Sequence, residues 1–155
     1  MLSNLDKYRI ILASNSPRRK ELLAGLDISF EVKVNGDVDE SYPEGLSPEE
    51  IPMYVAQKKA DAYASFLQED ELLITADTVV WTFEEILGKP SDREDAIKML
   101  MKLSNRVHEV ITGVCIVTKN KSTNFSVSSA VSFGYLEPSD IEEYVDKYKP
   151  YEDCL

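Results

Sequence analysis

Apolar residues recur along this chain in two rhythms, and the alternation between them sets the order of the expected elements. Arg9 to Ala13 (RIILA) is a short, nearly continuous apolar run, the mark of a buried strand. Ser16-Pro17 then opens a helix, with serine as N-cap and proline in the first helical position, and Gly25 closes it. Ser29 to Val34 alternates apolar and polar positions, as a half-buried strand does. Asn35 to Leu46 is acidic and rich in turn formers, so it reads as a loop. Ser47-Pro48-Glu49-Glu50 has the form of a capping box, although Pro52 places the start of regular helix in question. From Met53 the stripe Met53, Ala56, Ala60, Tyr63, Leu67 keeps three-four spacing.

Leu72 to Trp81 is a long apolar strand interrupted by a single charge, Asp77. Phe83-Glu84-Glu85 reads as a hairpin tip leading into Ile86 to Lys89. Ser91-Asp92-Arg93-Glu94 is a second capping box, opening a helix that turns Ala96, Ile97, Leu100 and Leu103 inward. Val107 to Thr118 is a strand, Lys119-Asn120-Lys121 a turn, and Ser126 to Phe133 an alternating strand. Pro138 opens a last helix to about Tyr148. Helices interleave with strands early and a hairpin dominates late, which predicts a mixed α/β sheet with flanking helices. At 155 residues this is one domain, or two small lobes sharing a core.

Charge narrows the partners. A formal net charge of −11 argues against duplex nucleic acid, whose binders need a basic face. It also repels nucleotides at long range, so any phosphate site must be a local basic cluster. No apolar run approaches the roughly 20 residues of a membrane-spanning helix. The first residues lack the basic-then-apolar pattern of a signal peptide. The two cysteines, Cys115 and Cys154, make no disulfide framework, so a cytoplasmic location is expected.

Ala13 to Arg19 (ASNSPRR) is the first candidate for chemistry. A strand ends, small polar residues turn the chain, and Arg18 and Arg19 enter the first turn of a helix. Cations there oppose the helix dipole unless an anion is received, and two guanidinium forks suit phosphate. The other reading pairs these arginines with surface carboxylates. Asp77, flanked by apolar residues, is either exposed, paired or metal-bound, because an isolated buried carboxylate is costly. Such a position suits a general base, and equally an aspartate that caps a turn. On a helical wheel Lys58 falls opposite the apolar stripe and reads as a solvated surface lysine. Lys59 flanks the stripe, from where its stem can carry the ammonium into a cleft. Lys89, in Gly88-Lys89-Pro90, lies between a strand end and a helix start. Glu40, in the acidic loop, would offer magnesium or manganese a second carboxylate if it converges with Asp77. His108 reads as a strand-face residue. No catalytic triad, zinc pattern, Walker loop or dinucleotide fingerprint is present.

Taken together, Ser14-Asn15-Ser16-Pro17-Arg18-Arg19-Lys20-Glu21-Leu22-Leu23, Ala56-Gln57-Lys58-Lys59-Ala60, Ala76-Asp77-Thr78, Gly88-Lys89-Pro90 and His108 to Val114 resemble the Maf family in order and spacing. The resemblance covers about Arg9 to Pro150. It implies a twisted mixed sheet in two lobes around a cleft, similar to inosine triphosphate pyrophosphatases, and a homodimer. It implies a nucleoside triphosphate pyrophosphatase with Asp77 as base and metal carboxylate, Glu40 assisting, and magnesium or manganese as cofactor. Arg18, Arg19, Lys59 and Lys89 would bind phosphates, with Ser14 and Ser16 shaping the loop. Arg18 and Thr78 fit the branch acting on dTTP and UTP. After Lys149-Pro150 the family pattern continues with a glycine-rich stretch and a base-recognising glutamine, where this chain has Tyr151-Glu152-Asp153-Cys154-Leu155. The departure makes a nucleotide-binding protein without turnover one alternative expectation; the association of the resembled family with septum formation makes an interaction protein linked to cell division another. It also predicts exposed apolar surface on the strands 107–117 and 127–133.

Overall fold

The computed structural model describes residues 3–34, 38–83 and 85–150. In chain order its elements are β1 (Arg9–Leu12), α1 (Pro17–Ala24), β2 (Phe30–Val32), α2 (Glu50–Ala64), β3 (Glu71–Thr82), β4 (Glu85–Leu87), α3 (Arg93–Leu103), β5 (Val107–Val117), β6 (Ser122–Ser132) and α4 (Pro138–Tyr148). A short 3-10 turn, Ser3–Leu5, precedes them. The sheet has six strands in the order β2-β1-β3-β5-β6, with β4 paired to β3. β1 is parallel to both neighbours, Leu12 facing Val32 on one side and Ile74 on the other. β3 and β4 are antiparallel, Val80 opposite Leu87. This is the mixed α/β sheet with flanking helices that the apolar rhythm predicts.

Two compact units divide the chain. One is Met1–Asp77 with Thr112–Val127, the other Thr78–Ile111 with Ser128–Leu155. In the first, Ile11, Ala56, Ala60, Tyr63, Leu67, Leu73 and Cys115 form the core. Small residues at Ala56 and Ala60 let α2 approach the sheet closely, and the Thr75 hydroxyl donates to the Ala56 carbonyl at 2.7 Å. Closest of all is Gly113 on β5. A Cβ there would collide with the backbone of Pro52 and Met53, so only glycine leaves room for α2. A buried carboxylate, Glu71, ties the strand ends, accepting from Arg9 at 3.1 Å and from the Gln68 N–H at 2.7 Å. In the second unit α3 and α4 pack through Ala96, Ile97, Ile141 and Val145. A second cluster joins Val80, Met99 and Leu103 to Leu87, Val110 and Phe133. Each fully buried aliphatic side chain of this kind contributes about 1.5–3 kcal/mol.

Several local expectations need correction. α2 begins at Glu50, with Pro52 inside its first turn, where a missing N–H costs nothing. Ile51, Pro52 and Val55 join its buried face, while Met53 is only half-buried. Gly25 closes α1 in ordinary right-handed geometry, and the left-handed residue is Asp27, at φ 54°. The cap of α3 is Asp92, whose carboxylate accepts from the Asp95 N–H at 2.8 Å, and not Ser91. His108 lies on strand β5, as expected, with its side chain buried. Val127 and most of β6 are exposed, but on β5 only Val107 is; Ile111 and Cys115 are fully buried, so the exposed apolar surface expected along 107–117 is not there. Residues 35–37 of the acidic loop, Glu84 of the hairpin tip and Tyr151–Leu155, including Cys154, lie outside the described residues.

Candidate functional site

The turn from β1 into α1 is built on two buried serines. The Ser14 hydroxyl accepts from the Ser16 N–H at 3.1 Å and from the Arg19 guanidinium at 3.3 Å. Ser16 caps α1 by accepting from the Arg19 N–H at 3.3 Å. Because both hydroxyls are spent on the loop, the loop is held while the head of the helix stays polar. Arg19 is half-buried and also donates to the Ala76 carbonyl at 3.2 Å. Arg18, one residue earlier in the same turn, is exposed.

Ala76 and Asp77 end the part of β3 that belongs to this unit. Lys59 of α2 reaches them both: its ammonium donates to the Ala76 carbonyl at 3.1 Å and stands 3.5 Å from Asp77 Oδ1. Glu40 Oε1 lies 3.1 Å from the same ammonium. Two carboxylates from distant segments therefore converge on one cation. The Asp77 side chain is 18% exposed. Burial pushes its carboxyl above the ordinary value, against the pull of Lys59; Glu40 adds to the rise and Arg19 opposes it. Such an aspartate is a stronger base than a solvated one while remaining partly exposed.

Lys58 departs from its expected role. Its ammonium donates to the Ser41 carbonyl at 2.9 Å and pairs with Asp39 at 3.5 Å, over the ring of Tyr54. The Asp39 carboxylate accepts from the N–H and hydroxyl of Ser41, both at 2.9 Å. These bonds and Lys58 hold Asp39 below the usual carboxylate range. The helical wheel sees only the apolar face of α2 and is blind to a loop folded against its other side. The Asp39-x-Ser41 spacing, which favours a side-chain-closed turn, was the available signal.

The structure thus brings Ser14, Ser16, Arg19, Glu40, Lys59 and Asp77 into one unit, with Arg18 on the same helix turn. Thr78, the next residue along β3, is half-buried and belongs to the second unit. So does Lys89, exposed beside a shallow pocket of about 200 Å³ lined also by Gly88, Lys98 and Lys102. Among the described residues no three histidine, cysteine or acidic side chains cluster for a metal. Glu40 and Asp77 still form an oxygen-only pair facing one cation. Magnesium-type sites need little more, since waters and substrate phosphates complete them.

Residues 9–154 match the Maf-like protein family. The chain belongs to the Maf family. It is 60% identical over 152 residues to the dTTP/UTP pyrophosphatase of Parabacteroides distasonis, covering 98% of this chain and 79% of that protein. Over 150 residues it is 55% identical to the dTTP/UTP pyrophosphatase of Bacteroides thetaiotaomicron, covering 97% and 78%. Among solved structures it is similar in fold to the Staphylococcus aureus Ham1 protein, with a TM-score of 0.55 at 20% identity, covering 80% of this chain and 71% of that one. Among the described residues of this Maf chain, no helix is long and apolar enough to cross a membrane.

Proposed function

We propose that this Maf chain hydrolyses dTTP and UTP to the monophosphate and pyrophosphate, with magnesium or manganese. The observation that carries the reading is Asp77, a desolvated carboxylate of raised proton affinity held beside Lys59, Glu40 and Arg19. The names of relatives at 60% and 55% identity support the same reaction. Asp77 takes a proton from water as the water oxygen attacks the α-phosphorus. The bond between the α-phosphorus and the bridging oxygen breaks, and pyrophosphate leaves. Arg18, Arg19, Lys59 and Lys89 are the donors assigned to the phosphate oxygens, where fixed cations stabilise charge that grows in the transition state. Thr78 and Arg18 carry the assignment to the thymine and uracil branch. Glu40 and Asp77 would hold the divalent ion, which polarises a phosphoryl oxygen when bound. Two copies of the chain and a cytoplasmic setting complete the proposal, the first read directly by sedimentation.

The deciding experiment is phosphorus NMR of dTTP incubated with the chain and manganese. The expected products are thymidine monophosphate and pyrophosphate. Orthophosphate with a diphosphate would place the attack at the γ-phosphorus and overturn the assignment. Binding of dTTP without any product would instead establish the nucleotide-binding alternative.

A further inference from the structure

A lysine ammonium has three N–H donors. Among the described residues, three oxygens surround that of Lys59: the Ala76 carbonyl at 3.1 Å, Glu40 Oε1 at 3.1 Å and Asp77 Oδ1 at 3.5 Å. The ammonium thus hydrogen-bonds to two oxygens of the chain and is ion-paired with a third, so an incoming phosphate has to compete with all three. The three acceptors are also of one chemical kind. Two carboxylates and a carbonyl are the hard oxygens that a small divalent cation prefers. Without a positive charge between them, Glu40 and Asp77 would repel each other.

We infer that Lys59 is a place-holder for the divalent ion: its ammonium keeps Glu40 and Asp77 together in the free chain and is displaced from them when the ion binds. The inference rests on the reading of Glu40 and Asp77 as the ion's carboxylates. Exchange of one cation for another never leaves the pair uncompensated. It also frees the N–H donors of Lys59 for the incoming phosphates, so ion binding and phosphate binding are coupled through one side chain. Departure of the ammonium does not orphan the Ala76 carbonyl, because Arg19 also donates to it at 3.2 Å. A flexible four-carbon stem suits this movement, while the planar fork of Arg19, anchored on Ser14, suits staying.

The test measures manganese binding to the nucleotide-free chain by electron paramagnetic resonance near pH 8, where carboxylates are ionised. Lys59→Met removes the competing cation, so manganese should bind about tenfold more tightly while turnover falls. Lys59→Gln, which keeps polar character if the methionine variant folds poorly, should tighten binding in the same direction. Unchanged or weaker binding in both variants, with intact circular dichroism, overturns the place-holder. Glu40→Gln and Asp77→Asn serve as the controls for the reading beneath it, each expected to weaken manganese binding. If neither does so, the assignment of the ion to these carboxylates fails, and the place-holder falls with it. If both do so and the Lys59 variants bind no more tightly, the place-holder alone fails.

Discussion

In the unit Met1–Asp77 with Thr112–Val127, the buried polar side chains Ser14, Ser16, Glu71 and Thr75 all have hydrogen-bond partners. In the unit Thr78–Ile111 with Ser128–Leu155, Nδ1 of the buried His108 has no partner among the described residues, and the ring lies edge-on to Phe133 at 4.9 Å. Beside surface pairs such as Lys33–Glu31, the first unit also holds charges that the second does not match. The first unit draws Glu71, Lys59 and Asp77 at least partly out of water, whereas the second places Arg93–Asp146 and Lys102–Glu85 at the surface. Buried polar groups cost free energy unless matched. The first unit has met that cost with bonds that join β1 to β3 at Arg9–Glu71 and α2 to β3 at Ala56–Thr75 and Lys59–Ala76. Its interior is organised for chemistry, and that of the second for packing.

The largest expected effect tests this directly. Asp77→Asn should lower turnover by more than about a hundredfold, the usual scale of general-base catalysis. Its effect on stability should have the opposite sign. Because the folded chain raises this carboxyl above its ordinary value, the ionised form is disfavoured by folding at neutral pH. A neutral isostere removes that penalty, so the melting temperature should hold or rise. A fall of several degrees would mean that Asp77 is chiefly structural and would erase the contrast between the units. Thr75→Val comes next. It removes the donor to the Ala56 carbonyl in a fully buried place and should cost about 1–2 kcal/mol in urea unfolding, without affecting circular dichroism.

Lys58→Ala is expected to be milder and more specific. By releasing Ser41 and Asp39 it loosens the loop that presents Glu40, so half-saturation by manganese should rise about threefold to tenfold while turnover at saturating metal changes little. Lys58→Arg should restore most of it. An unchanged metal dependence would return Lys58 to the solvated role that the helical wheel suggested.

The smallest effect belongs to the second unit. Burial holds the His108 imidazole below its ordinary value of 6.5, so the unfolded chain takes up its proton first. The stability contributed by neutral His108 is present above that value and is lost as pH falls below it. His108→Leu should therefore flatten the decline in melting temperature between about pH 7 and pH 5, with little change at neutral pH. An unaltered acid slope would show that the carboxylates alone set it.

What could be read in the sequence follows from what is local. The Ser16 cap, the limits of α4 and the placement of Asp77 inside a strand depend on neighbours a few residues away, and periodicity reports them. Lys59 was separable from Lys58 because the apolar stripe fixes the phase of α2. Glu71 was not visible, since a glutamate at a strand end looks solvated until Arg9, 62 residues distant, arrives beside it. The Lys58 clamp was hidden for the same reason, its partners lying 17 and 19 positions upstream in a loop without periodicity. Asp92 displaced Ser91 as cap because either side chain satisfies the pattern, and only backbone geometry chooses.

Gly113 has a consequence that reaches past packing. The missing methyl group fixes how low α2 rides on β5, and α2 carries both lysines. The position acts as a gauge: it meets α2 at the backbone of Pro52 and Met53 and so sets the height of the helix over the sheet. An alanine there would have to lift the backbone at Pro52 and Met53, tilting the helix as a lever that carries Lys58 and Lys59 with it. Misplacement of about 1 Å is enough to cost an enzyme up to about a hundredfold in rate. Gly113→Ala would thus register in turnover as an active-site change, and unchanged kinetics in that variant would show that the helix absorbs the strain before it reaches the lysines.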